Sequence, residues 1–311
     1  MTNKTLVLTL SIGTLLLTAC GGGGDSENNS NSGDKNPIKS NVDYNKSETI
    51  DLITEPVVSL SKKFENPVID ISTIAMGIHY QIIDPKNEGY KISCESGTIQ
   101  KNSNGSITLN NCKNYKVNNI IDRNMKNFIF SGTIDNKINN NETLTQMSSR
   151  YEITLSDFSM KNIDGELIKL SGKIIQNFMR DKTTGIIKAQ FDVDNMENKW
   201  IDQEDNGRNI LTNYHLVEIS TESSISTLAS GTLQGDENGQ KYSVKFDSKV
   251  EYPRSSTFSP TIADINIEDF NNLKNAITIK NTIGGKASIN AFANGTSVSG
   301  YPTTVDWDYF E

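Results

Sequence analysis

From Val68 to the C-terminus the chain repeats one local pattern, and that pattern constrains the fold more than any other feature. Short runs rich in Ile, Val, Thr, Phe and Tyr alternate with Asn-Gly, Asp-Gly and Gly-Gly. Branched and aromatic residues favour the pleated chain, and glycine or asparagine supplies the left-handed turn positions of tight hairpins. Tyr151 to Met160 and Glu166 to Ile175 flank Asp164-Gly165. Ser226 to Leu233 and Gln240 to Val250 flank Asp236 to Gly239, and Ala276 to Ile283 and Lys286 to Phe292 flank Gly284-Gly285. Each set reads as an antiparallel hairpin. The closing segment Thr303 to Phe310 alternates Val305, Trp307 and Tyr309 and reads as a strand. Ile78 to Ile83 reads as a strand as well.

A tetrapeptide recurs through these strands. SGTI occurs at Ser96 to Ile99 and Ser131 to Ile134, SGKI at Ser171 to Ile174, and SGTL at Ser230 to Leu233. The spacing is unequal, which excludes a fixed-period solenoid. Glycine inside a strand marks a bulge, a bend or a close backbone approach, so the sheet is expected to bend at these four places. Before the strands, Ile50, Ile53, Val57, Leu60 and Phe64 fall at steps of three and four and mark one helix face. Ser47 is placed to cap that helix, and Lys62 and Lys63 suit its C-terminal end. Pro56 is expected to break it, leaving a shorter helix from Glu55 to Phe64. The fold class expected is mainly β: curved antiparallel sheet built from successive hairpins, with one short N-terminal helix.

The first 20 residues carry an address. Lys4 precedes the apolar run Leu6 to Leu17, which is too short to span a bilayer but has the length of a signal-peptide core. It ends in Leu17-Thr18-Ala19-Cys20, followed by four glycines. This resembles the lipobox of bacterial lipoproteins, in which the cysteine is lipidated and becomes the first mature residue. The resemblance implies a leader over 1–19, a lipid on Cys20, and outer-membrane sorting from Gly21 at the next position. The segment after it, poor in apolar residues, reads as a disordered tether, giving a division into 1–19, 20–46 and a single β domain over 47–311. As a flexible coil of ~20 residues the tether would hold the body ~25 Å from the membrane.

Lipidation of Cys20 turns an odd cysteine count into a pair, Cys94 and Cys112. An exported protein meets an oxidising compartment, so the pair reads as a disulfide rather than a metal site, for which no histidines lie near. Paired positions in an antiparallel hairpin have a constant sum. Opposing the cysteines centres the turn on Ser103, faces Gly97 with Leu109 and Ile99 with Ile107, and predicts a three- or five-residue loop with Gly105 in a left-handed bulge position. Cys94, Gly97, Thr98, Asn111, Cys112 and Gly132, behind a lipobox, polar tether and short helix, together resemble a group of uncharacterised Gram-negative lipoproteins. That resemblance implies architecture and location, and no activity.

Chemistry is sparse. There is no HExxH, GxSxG or phosphate-loop motif, and SxxK at Ser59 to Lys62 lacks its companion motifs. Asp202, Glu204 and Asn206 resemble the front of a calcium loop whose twelfth position, Asn213, lacks the required glutamate; Asp192, Asp194 and Glu197 lie nearby. No cofactor is expected. His79 and His215 are the two histidines, both read as strand residues outside any visible catalytic grouping. Trp200, Tyr301, Trp307, Tyr309 and Phe310 could serve a carbohydrate or peptide surface or fill the core. The formal charge of -8 leaves no basic stripe for nucleic acid. The reading that results is a lipid-anchored outer-membrane protein, on the periplasmic face or cell surface, whose β body binds a protein, peptide or glycan or serves a structural role. The alternative is an envelope hydrolase with a spatially assembled site.

Overall fold

A computed structural model describes residues 38–83, 92–117, 120–121, 126–162, 165–201, 206–254 and 259–310. Two helices come first, α1 (Ser47–Ser61) and α2 (Pro67–Ile83). Five strands follow: β1 (Ile92–Ser93), β2 (Ser96–Lys101), β3 (Ile107–Lys113), β4 (Lys116–Val117) and β5 (Ile120–Ile121). The long strands are β6 (Ile129–Glu142), β7 (Gln146–Lys161), β8 (Leu167–Asp181), β9 (Ile187–Ile201), β10 (Asn206–Ser220), β11 (Ser224–Glu237) and β12 (Gln240–Pro253). Shorter ones close the chain: β13 (Ile262–Asp269), β14 (Ala276–Asn281), β15 (Ala287–Ala293), β16 (Thr296–Ser297) and β17 (Thr303–Val305), before a 3-10 turn at Trp307–Phe310. Strands β2, β3 and β6 to β16 form one antiparallel meander, with β17 added beside β15; β1, β4 and β5 form a small separate sheet. The expected hairpins are present, and Asn238-Gly239, both at positive φ, makes the two-residue turn between β11 and β12.

One face of the meander is apolar. In β12, Val244, Phe246, Val250 and Tyr252 are buried while Lys245, Asp247, Lys249 and Glu251 alternate with them. In β15 the inward residues are Ala287, Ile289, Ala291 and Ala293. Both helices cover this face. Ile50, Ile53, Val57 and Leu60 point into it as their spacing predicts. Side-chain hydrogen bonds pin the joint between the helices to the sheet: Tyr214 Oη donates to the Leu60 carbonyl at 2.8 Å, Thr227 Oγ1 to the Ser61 carbonyl at 2.7 Å, and Lys63 pairs with Glu218 at 2.5 Å.

The helical part departs from expectation in three ways. There are two helices, not one. Ile78 to Ile83, expected as a strand, is the end of α2, so His79 lies on a helix. Branched residues mask this helix, yet Val68, Ile71, Ile74, Ala75 and Ile78 bury one stripe of it. Asn66-Pro67 starts it: Asn66 Oδ1 accepts from the Val68 and Ile69 amides at 3.1 and 3.3 Å, and proline suits the first turn. Second, α1 runs unbroken through Pro56 and stops at Ser61. Proline costs about 3 kcal/mol in a helix interior. Four fully seated aliphatic side chains return ~1.5–3 kcal/mol each, which outweighs it. Third, Ser47 is not the cap; Lys46 holds that position without a side-chain bond. The expected terminal strand is also shorter: it stops at Val305, and Trp307 and Phe310 turn inward from the 3-10 turn while Tyr309 stays 44% exposed.

The recurring tetrapeptide has a structural meaning. The ladder register shifts between Ser96 and Thr98, Ser131 and Thr133, Gly172 and Ile174, and Thr212 and His215 opposite Ser230. These bulges form a line across the sheet. Asn111, Asp157 and Asn213 occupy left-handed positions on it, at φ 47, 48 and 51°. Two of the four Ser-Gly pairs, Ser131-Gly132 and Ser171-Gly172, serve two neighbours. The serine hydroxyl accepts the bulged amide of the preceding strand, Asn111 N–H to Ser131 at 3.0 Å and Asp157 N–H to Ser171 at 3.1 Å. The glycine leaves room for the bulged carbonyl of the following strand: a Cβ on Gly132 would stand 2.3 Å from the Asp157 carbonyl oxygen.

Cys94 and Cys112 form the disulfide, with Cα atoms 5.2 Å apart. The hairpin register is not the expected one. Ile99 pairs with Leu109 and Lys101 with Ile107, which centres the turn on Asn104 instead of Ser103. The loop has three residues, with Gly105 at φ 86° as anticipated. The cysteines still meet because the register slips by one at Gly97 and the chain leaves the ladder at Cys94 and Glu95. Residues 38–46, expected within the tether, are held on the body. Asn41 N–H donates to the Lys241 carbonyl at 2.9 Å, and buried Tyr44 donates to Asp269 at 3.1 Å.

Candidate functional site

Cys20, Asp202 and Glu204 lie outside the described residues. Asn206 opens β10, and its carbonyl accepts the Asn238 amide at 3.3 Å. Among the described residues no group of three or more His, Cys, Asp or Glu side chains is placed to hold a metal ion. His79 is buried. Its Nε2 lies 3.2 Å from the Gly105 carbonyl oxygen, which assigns the proton to that nitrogen and ties α2 to the β2–β3 turn. Burial lowers its pKa, so the ring is neutral near pH 7.

His215 stands in a row of chemically suggestive residues. Its Nδ1 is 2.6 Å from Asp192 Oδ1, and Gln190 Nε2 donates to the other carboxylate oxygen at 2.8 Å. On the opposite strand its register partner is Ser230. Aspartate, histidine and serine thus lie side by side on β9, β10 and β11, on the face away from the helices. Two things needed for acyl transfer are missing from this geometry. The row lies on an open sheet face, with the His215 side chain 46% exposed. Ser230 is laddered to His215 on one side and Asp247 on the other, so its strand's amides serve the sheet rather than an oxyanion.

The aromatic residues separate into two places. Trp307 and Phe310 pack together at 5.8 Å in the core, and Trp307 Nε1 donates to Asn281 at 3.1 Å. Tyr309 and Tyr301 stand above α1 near Glu48, Asp51 and Glu55. Burial and the neighbouring Asp51 push Glu55 up to about 7. Trp200 is elsewhere, at the end of β9, where it lines a cleft of about 280 Å³ with Lys199, Gly207, Arg208, Asp236 and Asn238.

Register builds this cleft. Trp200 is paired with Gly207 on β10, and the indole leans over the bare glycine; a Cβ there would lie 2.0 Å from Cζ2. On the other face Lys199, Arg208, Asp236 and Lys241 sit opposite one another in sequence across β9 to β12. Glu197 meets Lys199 at 3.0 Å and Arg208 at 2.5 Å, and Lys241 reaches Asp236 at 3.5 Å. The β11–β12 turn closes the rim, and the N-terminal segment is fastened to it, with Asn41 Nδ2 donating to the Gly239 carbonyl at 3.0 Å. Sequence reading named Trp200, Asn206 and the Asp236 to Gly239 turn separately; only the ladder register shows that these residues of three strands share one end of the sheet. Comparison with protein-family models, with curated proteins and with solved structures gives no match to this chain.

Proposed function

We propose that this chain is a lipid-anchored protein of the outer membrane whose β body binds a ligand without transforming it. The observation that carries the anchoring is the sequence Leu17-Thr18-Ala19-Cys20, a lipidation signal directly ahead of four glycines. Two features of the body support binding over hydrolysis. The Asp192, His215 and Ser230 row sits on an exposed face of the sheet, and the cleft at the end of β9 is lined by polar groups with no histidine among its described lining residues. The first described residues are fastened beside that cleft, Ile38 N–H to Gln234 and Asn41 to the Gly239 carbonyl.

Metabolic labelling with an alkyne fatty acid, followed by fractionation of the envelope, tests the anchoring. The wild-type chain should carry label and sediment with outer membrane, and Cys20→Ser should lose both. An unlabelled wild-type chain in the soluble fraction would end the proposal. Ester hydrolysis that depends on His215 would end its non-enzymatic part.

A further inference from the structure

We propose that the free edge of β6 receives a second copy of this chain, joining two sheets edge to edge about Asn140. The ladders show where the edge lies. β7 pairs with β6 to its end, Glu142 against Met147, but β3 pairs with it only from Ile129 to Ile134. Among the described residues no backbone bond reaches that side of β6 beyond Ile134. Lys137 to Glu142 are all exposed. The sheet therefore has a step. Its foot is the β2–β3 turn, where Asn102 N–H donates to the Ser106 carbonyl at 2.9 Å and His79 holds the Gly105 carbonyl at 3.2 Å.

An unpaired edge is a template for another strand, and proteins blunt the edges they do not use. The other edges here are blunted. On β2 the register slips at Gly97 and the strand ends at Lys101. On β15, β17 covers Ala287 to Ile289 and β16 covers Phe292 and Ala293. The β6 edge has no such device. From Thr133 to Glu142 its register against β7 is unbroken, with no proline or glycine. Nor does strand preference account for its residues, since Asn139, Asn140 and Asn141 are a type depleted in strands. A carboxamide both donates and accepts, so it is well matched by another carboxamide across a ladder.

Register names the occupant. Two β6 edges joined antiparallel, with their helix-covered faces on one side, bring positions of equal parity opposite one another. The second copy carries its own β2–β3 turn, and Gly105 lies level with Asn136 when the β3–β6 ladder is extended. That turn blocks any pairing that sets Glu142 against the partner's Asn136. The nearest pairing that clears it puts Asn140 on the two-fold axis. Asn139 then faces the partner's Asn141, and Ile138 faces the partner's Glu142. Every central carboxamide meets a carboxamide, and no like charges oppose. The overlap is short, which places the contact in the transient class.

Single cysteines test the register in the full-length chain, oxidised mildly in envelope membranes and run on non-reducing gels beside the unsubstituted chain. Asn140→Cys should give a covalent dimer, because residues opposed on the axis have Cα atoms ~4.5–5.5 Å apart, within disulfide reach. Asn139→Cys co-expressed with Asn141→Cys should give a mixed dimer. Lys137→Cys should give none above the unsubstituted chain, since it would stand ~20 Å from the partner's Lys137. Adding Asn140→Lys to the mixed pair sets like charges on the axis and should lower the yield about tenfold. Asn140 is exposed, so an unchanged melting curve will separate lost contact from misfolding. No covalent dimer from Asn140→Cys would overturn the inference, as would equal yield from Lys137→Cys or undiminished yield with Asn140→Lys. Cross-linking of Asn140→Cys only to a different polypeptide would overturn it too, by giving the edge to another partner.

Discussion

Replacing Gly132 by alanine isolates what the line of bulges demands. Gly132 has φ 101°, and an added Cβ would stand 2.3 Å from the Asp157 carbonyl oxygen and 2.5 Å from the Phe158 Cα. Ordinary contact begins near 3.4 Å, so β6 and β7 would have to separate by about 1 Å at the bulge. Gly105 provides the control. Its φ is 86°, but an added Cβ would meet nothing within 4 Å. Both substitutions incur the backbone cost of a left-handed alanine, roughly 1–2 kcal/mol. Only Gly132→Ala adds overpacking against backbone, roughly another 1–3 kcal/mol. Urea denaturation followed by far-UV circular dichroism should place Gly105→Ala about 1–2 kcal/mol below wild type and Gly132→Ala about 2–5 kcal/mol below it, with unchanged slopes. Equal losses would refute the argument, because they would mean that φ alone makes the glycine necessary. The same contrast should hold for Gly172, whose Cβ would lie 2.5 Å from the Asn195 carbonyl oxygen.

Other outcomes follow from single side chains. Asn66→Ala removes the α2 cap together with bonds to the Leu60 and Lys62 carbonyls and to Tyr214, and should cost about 2–4 kcal/mol in the same assay. Reduction, or the Cys94→Ser and Cys112→Ser pair, should cost about 3 kcal/mol for a closed loop of 18-residue separation; an unchanged midpoint would contradict the chain-entropy account. Pro56→Ala should raise stability by roughly 1–3 kcal/mol, since α1 already holds helical geometry there. Glu55, pushed up to about 7 by burial and by Asp51, keeps its proton in the folded state after the unfolded chain has lost it near 4.5. Its contribution is therefore fully present below about pH 4.5 and lost as pH rises through 7. Glu55→Gln should match wild type at pH 4.5 and be more stable by about 1–3 kcal/mol at pH 8; no difference between the two pH values would refute the assignment.

The β body was legible because its signal is local. Asn238-Gly239 names its own turn, and the alternation in Gln240 to Val250 names its own buried face. The bulges were half legible: Ser-Gly announced a bend, but the partner residues Asn111, Asp157 and Asn213 sit on neighbouring strands and carry no mark in sequence. The α2 helix was missed for a different reason. Its Val and Ile content imitates a strand, and the deciding features were the Asn66-Pro67 start and a buried stripe that exists only against β6 and β7. The disulfide pairing was read correctly from a register that was wrong by two in its sum, because a bulge and a bend brought the cysteines together where a straight ladder would have parted them. Of the cleft, Trp200, Asn206 and the Asp236 to Gly239 turn stood in the sequence; their meeting at one end of the sheet did not.

The N-terminal segment has a consequence for assembly in time. Tyr44 closes on Asp269, 225 positions later, and Asn41 on Lys241, 200 positions later. Both helices likewise rest on a surface that consists of strands made after them. Neighbouring strands of the meander can zip as they emerge, since every ladder except β3 with β6 and β15 with β17 joins segments adjacent in the chain. The helices cannot. The apolar stripe of α1 waits for β11 and β12, whereas that of α2 is covered once β6 and β7 are made. A chain built from its N-terminus thus finishes its oldest part last, and the seam beside the Trp200 cleft is sealed only after residue 241 has arrived.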